Sequence, residues 1–204
     1  MKHILIRSVL ALAVAAALPA CAPLMVGGMV GGAMVASDRR TSGIQLEDEG
    51  IELKAANRIR ETLGGRAHLN VTSYNRQVLI TGEVANAQDR DYVARLVGEV
   101  ENVRKVVNEA VIGPNSSLTE RSTDALITAK VKAQMVDSKD IFANAYKILT
   151  ERGVVYLMGR VTQREADRAT EVARQVSGVK KVVRIFEILT EAELNALFPE
   201  PPKK

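Results

Sequence analysis

From about residue 48 onward the chain is written twice, and a duplicated unit constrains a fold more than any single motif. Whatever the unit forms it must form two times, burying its apolar surface inside each copy or against its twin. Asp48-x-x-Ile51-x3-Ala55-x3-Ile59 matches Asp124-x-x-Ile127-x3-Val131-x3-Met135 at an offset of 76. Val78-Leu79-Ile80-Thr81-Gly82-Glu83-Val84 matches Val155-Tyr156-Leu157-Met158-Gly159-Arg160-Val161 at 77, and Val100 to Val107 matches Val176 to Val183 at 76. One residue gained and one lost between these blocks place the length changes in loops.

Each copy reads helix, strand, strand, helix, strand. Ile51, Ala55 and Ile59, like Ile127, Val131 and Met135, recur at helical spacing, and Asp48 and Asp124 stand where a helix start favours negative charge. Alternation at Ile80, Gly82 and Val84, and at Val155, Leu157 and Gly159, predicts strands with one face inward. Asn75-Arg76 and Arg152-Gly153 fall where a tight hairpin turn is needed. The third strand, Val103 to Ile112 or Val179 to Leu189, follows a helix and so crosses over to lie parallel in a mixed sheet. The expected class is α+β: two αββαβ units, each a three-stranded mixed sheet covered on one face by two helices. Units of about 65 residues bury only a modest core, so each is expected to lean on the other. Gly82 and Gly159, inside strands, predict a bulge or the close approach of a helix.

Composition restricts the chemistry. With residues 1–20 removed, 26 basic residues face 24 acidic ones, far from the excess a nucleic-acid binder carries. The remainder holds one histidine, His68, and one thiol, Cys21, too few for a metal site or a Cys/His or Ser/His/Asp relay. His68 follows Gly64-Gly65 in a predicted loop and reads as a surface or capping residue. No catalytic residue, metal or cofactor is expected. Arg164, Arg168 and Arg174, interleaved with Glu165, Asp167 and Glu171, read as a solvated helix face.

The N-terminus gives an address. Lys2 and Arg7 precede the apolar run Val9 to Leu18, the pattern of a secretory signal peptide and too short to span a bilayer. The run closes on Leu18-Pro19-Ala20-Cys21, which resembles the lipobox of bacterial lipoproteins; the other reading is an ordinary signal peptide leaving a free thiol. In the lipoprotein reading Cys21 becomes the acylated first residue, and Ala22, which is not the aspartate of an inner-membrane retention signal, implies the outer membrane with the domains facing the periplasm. Ala22 to Ala36 is uncharged and rich in Gly, Met and Val. It is too short for a membrane span, although Gly27 and Gly31 have small-xxx-small spacing; a flexible tether near the bilayer fits better. About 29 residues then separate Cys21 from the first patterned segment, a span of roughly 30 Å that leaves the globular part free to rotate. The expected division is signal peptide 1–20, tether 21–46, first unit 47–113, linker 114–121, second unit 122–190, and a C-terminal piece 191–204 whose Thr190-x-x-Glu193 caps a short helix.

The copies differ on one helix. Beside the core stripe of the second copy, Leu126, Ala129, Ala133 and Val136 gather on another side, near Lys130, Lys132 and Gln134. Their counterparts in the first copy are Gly50, Leu53, Asn57 and Arg60, so the second apolar side reads as particular to repeat two. An apolar strip flanked by lysines suits anionic headgroups, with the lysine stems snorkelling; it would equally suit an interface with repeat one.

The apolar helix, the Val-x-Leu-x-Gly-x-Val strand and the closing Gly-Val-x-x-Val resemble the BON domain, over about Asp48 to Leu189. A lipobox followed by two such units resembles dual-BON lipoproteins of the DolP type. That resemblance implies two tandem BON domains, a non-catalytic role in maintaining the cell envelope, and an anionic phospholipid membrane as partner. It favours lipid as the occupant of Leu126, Ala129, Lys130, Ala133, Gln134 and Val136. An adaptor role, holding another envelope protein on the same surface, is the alternative. Relatives can carry tryptophan, the side chain best suited to the bilayer interface, where this chain has Leu126.

Overall fold

The computed structural model describes residues 38–197. Cys21, the Gly-rich run and the last seven residues, with the readings that fall on them, lie outside the described part. Helix α1 (Ser42–Leu63) starts at Thr41, whose hydroxyl accepts from the Ile44 amide, and stops at Gly64 with φ 53°. It lays Ile51, Ala55, Ile59 and Leu63 on a sheet made of β1 (Ala67–Tyr74), β2 (Gln77–Val84), β3 (Lys105–Asn108) and the two-residue β4 (Val111–Ile112). Helix α2 (Ala87–Gly98) is the crossover and adds Val93 and Val97 to the same core. The second unit repeats this with α3 (Leu118–Asp137), β5 (Tyr146–Glu151), β6 (Val154–Thr162), α4 (Gln163–Arg174) and β7 (Lys181–Leu189), and ends in the short α5 (Glu191–Leu197). In each sheet the middle strand pairs antiparallel with the one before it and parallel with the one after, as the sequence predicts. Thr190 and Glu193 cap α5 reciprocally, also as predicted.

Four expectations need correction. The third strand of the first sheet is not continuous: Glu109 and Ala110 interrupt it, with Ala110 turned into the core, whereas β7 runs unbroken for nine residues. Asp48 and Asp124 do not start helices, since α1 and α3 begin six residues earlier. Both are buried and clasp the hairpin turns instead. Asp48 accepts from the Asn75 and Arg76 amides at 2.8 Å each, and Asp124 from the Arg152 and Gly153 amides at 2.7 and 2.8 Å. Those turn residues all have positive φ (51°, 65°, 54° and 79°), the geometry of a two-residue hairpin turn whose N–H groups need an outside acceptor.

Third, what approaches the strand glycines is a backbone carbonyl, for Gly82 that of His68 in the paired strand β1 and for Gly159 that of Ala145 at the end of the 3-10 turn Ala143–Ala145, rather than a packed α-helix. A Cβ on Gly82, at φ 104°, would lie 2.1 Å from the His68 carbonyl oxygen, and one on Gly159 would lie 2.6 Å from that of Ala145. Fourth, the globular part begins before residue 47. Arg39 is buried, its guanidinium bound by both Glu165 oxygens at 2.6 and 2.8 Å and by the Arg160 carbonyl at 2.9 Å. Arg40 pairs with Asp38 and Asp48 and stacks over the Tyr74 ring. The globular part thus begins by Arg39, earlier than the sequence suggested.

The two units do lean on each other, through the sheet faces that the helices leave bare. Tyr74 and Leu79 of the first sheet form one cluster with Tyr156, Met158 and Ile185 of the second. Polar contacts frame it: Lys147 reaches Glu52 at 2.7 Å, Asn70 reaches Glu151 at 3.1 Å, and Arg152 reaches the fully buried Glu83 at 3.0 Å. Glu83 and Arg160 are equivalent positions of opposite charge, and each is met across the interface, Glu83 by Arg152 and Arg160 through Glu187, which accepts from Asn75.

Candidate membrane interface

Helix α3 is fixed at its start by a capping box in which Ser117 and Glu120 satisfy each other's backbone amides. Its core stripe is Ile127, Val131 and Met135, with the Asp124 clasp on the same side. At about 100° per residue the opposite side carries Ala129, Ala133 and Val136 at its centre, with Leu126 and Lys130 on one shoulder and Gln134 beyond. All six are exposed, Leu126 by 62 % and Val136 by 65 %. Lys130 and Lys132 are exposed too, and among the described residues neither pairs with a carboxylate. The helix places Leu126, Ala129, Ala133 and Val136 on one side and Gln134 on the flank toward the core stripe, and repeat one does not cover this side: interdomain packing uses the sheet faces instead.

The contrast with the first helix is less complete than the sequence suggests. Helix α1 exposes Leu46 and Leu53, and Gly50 between them has open space where a Cβ would project. Leu46 escaped notice because the helix reads from Asp48 in the sequence and in fact starts at Ser42. Its surroundings differ, however. Ion pairs Lys54 to Glu101 and Arg76 to Glu47 flank it, so its charges are internally matched, while α3 offers unpaired lysines.

His68 lies in β1, not in a loop. Its Nδ1 is 3.2 Å from one Glu83 oxygen while Arg152 holds the other, which makes it part of the interdomain frame. Nearby, burial pushes the Glu151 carboxyl above its ordinary value, the Glu83 and Asp124 charges add to the rise, and the Asn70 bond opposes it. Of the helix face read as solvated, Arg168 does sit in exposed ion pairs, with Asp140 and Glu171, but Glu165 is buried against Arg39. Among the described residues no three His, Cys, Asp or Glu side chains converge to hold a metal, and no helix is long and apolar enough to cross a membrane.

The family model described as the BON domain matches twice, over residues 47–114 and 123–189. The chain belongs to the BON-domain family. It is 36 % identical over 174 residues to the outer membrane lipoprotein DolP of Haemophilus influenzae, covering 84 % of this chain and 90 % of that one. It is 32 % identical over 151 residues to a 21 kDa hemolysin of Actinobacillus pleuropneumoniae, covering 73 % and 78 %. Osmotically-inducible protein Y of Escherichia coli matches at 26 % over 117 residues, or 56 % and 58 %. In BON terms, the exposed strip belongs to the first helix of BON domain 2, and the sheets of the two BON domains pack face to face.

Proposed function

We propose that this protein is a non-catalytic outer-membrane lipoprotein, anchored through acylated Cys21 with its BON domains in the periplasm. BON domain 2 binds anionic phospholipid through Leu126, Ala129, Lys130, Ala133, Gln134 and Val136, and so supports envelope integrity. The observation that carries the reading is the exposed side of α3, apolar along its centre and lined by unpaired lysines, on a helix whose other side is fully engaged by its own core. Such a helix lies in the interfacial plane with its apolar side among the acyl chains and its lysines at the phosphates. Similarity to an outer membrane lipoprotein over most of both chains supports the address.

The test uses the fragment from Asp38 onward, which contains every described core cluster and has no acyl anchor to mask weak binding. Burying a leucine contributes about 1.5–3 kcal/mol, so Leu126→Glu should weaken binding to vesicles containing phosphatidylglycerol at least about tenfold. Gly50→Glu, at the equivalent site on α1 where a side chain meets nothing, should bind like the wild type. Added salt should weaken the wild type, because exposed charges are screened. If Leu126→Glu binds vesicles normally but loses a co-purifying envelope protein, the surface is an adaptor site and the lipid reading is wrong.

A further inference from the structure

The exposed apolar surface does not end with the α3 strip. Leu118, the first residue of α3, is 80 % exposed and lies 18 residues before Val136, which is five whole turns and therefore the same side of the helix. At about 1.5 Å per residue Leu118 and Val136 lie roughly 27 Å apart along this side of α3, with the exposed Ser122 between Leu118 and the strip. Six residues before Leu118, the short strand β4 of BON domain 1 presents Val111 and Ile112, Ile112 being 53 % exposed. Two consecutive exposed branched residues on a sheet edge are a liability in water unless something covers them.

The intervening chain is held close to α3. Arg152 spans the junction: its amide binds Asp124 of α3, its guanidinium binds Glu83 of β2, and it approaches the Pro114 carbonyl at 3.5 Å. Val84, next to Glu83, is the strand partner of Ile112. Arg121 ties back to the Ser116 hydroxyl and carbonyl. Arg121, three residues after Leu118 and without a carboxylate partner among the described residues, borders the apolar surface at this corner. A cationic border around aliphatic side chains complements an anionic lipid surface and opposes a cationic protein one.

We propose that the bilayer contact extends past the α3 strip through Leu118 onto Ile112, so that both BON domains touch the same anionic membrane. This rests on the lipid reading of α3 and adds a foothold in BON domain 1. Its consequence is orientation: a helix touching at both Leu118 and Val136, with a second contact at one end, cannot roll about its own axis on the bilayer.

The test again uses the fragment from Asp38 onward, titrated with phosphatidylglycerol-containing and with purely phosphatidylcholine vesicles. Ile112→Glu and Leu118→Glu should each weaken binding to the anionic vesicles about fivefold, a loss of part of one apolar side chain's burial. Uncharged Ile112→Asn should weaken it in the same direction, with unchanged thermal midpoints in all three, since neither side chain packs in a core. Leu53→Glu, an exposed leucine on α1, should bind normally. If Leu126→Glu weakens binding while the Ile112 and Leu118 variants do not, contact stops at α3 and the extension is overturned. If Leu53→Glu weakens binding as much as Ile112→Glu, added negative charge alone explains the loss and the extension is likewise overturned. Should Leu126→Glu also bind normally, the lipid reading itself fails.

Discussion

Asp48→Ala should lower the unfolding free energy by about 4 kcal/mol, because it removes four hydrogen bonds, two of them from turn amides, and one of the two carboxylates that hold Arg40. Asp48 accepts from the Ser73 hydroxyl at 2.6 Å, from the Asn75 and Arg76 amides at 2.8 Å, and from Arg40 at 2.7 Å. The two amides belong to turn residues at positive φ and face no strand partner. Asp124→Ala is the internal comparison. It takes away only the Arg152 and Gly153 amide bonds and should cost about half as much. Urea unfolding of the fragment from Asp38 onward measures both.

The same aspartate sets a pH dependence. Burial alone would raise its pKa, but the bonds from Ser73, Arg76, Arg40 and Asn75 outweigh burial and hold it below the ordinary 3.8. A carboxyl depressed on folding contributes its stability fully above the unfolded-state value and loses it as pH falls through the folded one. The difference between wild type and Asp48→Ala should therefore be constant above about pH 5 and shrink below 3.8. A difference that grew on acidification would show that Asp48 is not held as an anion.

The misreading of Asp48 shows where sequence stops being informative. Core stripes and strands are legible because periods of 3.6 and 2 are properties of a segment, and Ile51, Ala55, Ile59, Val78, Ile80 and Val84 do form one core. An acid early in an apolar helix looks like a helix-start charge whatever it does. Its true partners, 25 to 28 residues away, meet it only once the hairpin folds back onto the helix. The face-to-face packing of the two sheets did leave a signal. Val78-Leu79-Ile80 and Val155-Tyr156-Leu157-Met158 are apolar without alternation, which marks strands buried on both faces; Leu79, Tyr156 and Met158 are the residues that fill the interdomain cluster. Arg39 left none. Nothing in Ser37-Asp38-Arg39-Arg40 foretells that one arginine will reach Glu165, 126 residues on. The α3 strip was legible as a second apolar side, but periodicity could not say whether repeat one covers it, since that depends on which face the sheets choose.

Cys21→Ser should have an all-or-none effect on anchoring. Each methylene buried in the bilayer contributes about 0.8 kcal/mol, so one acyl chain gives reversible attachment and two or more make release negligible. No contact available to the α3 strip approaches that: its apolar contacts are one leucine, one valine and small alanines, binding that can be titrated and weakened by salt. Serine offers no thiol for acylation. The variant is expected to incorporate no labelled palmitate and to remain an uncleaved precursor at this position, and normal labelling would refute the lipoprotein reading. The two attachments also differ in what they control. In the acylated protein, Leu126→Glu should leave the chain in the membrane fraction while abolishing its preference for anionic lipid, because the anchor retains the protein and the strip decides how the domains lie on the surface. Release of acylated Leu126→Glu into the soluble fraction would mean that the strip, not Cys21, holds the protein to the membrane.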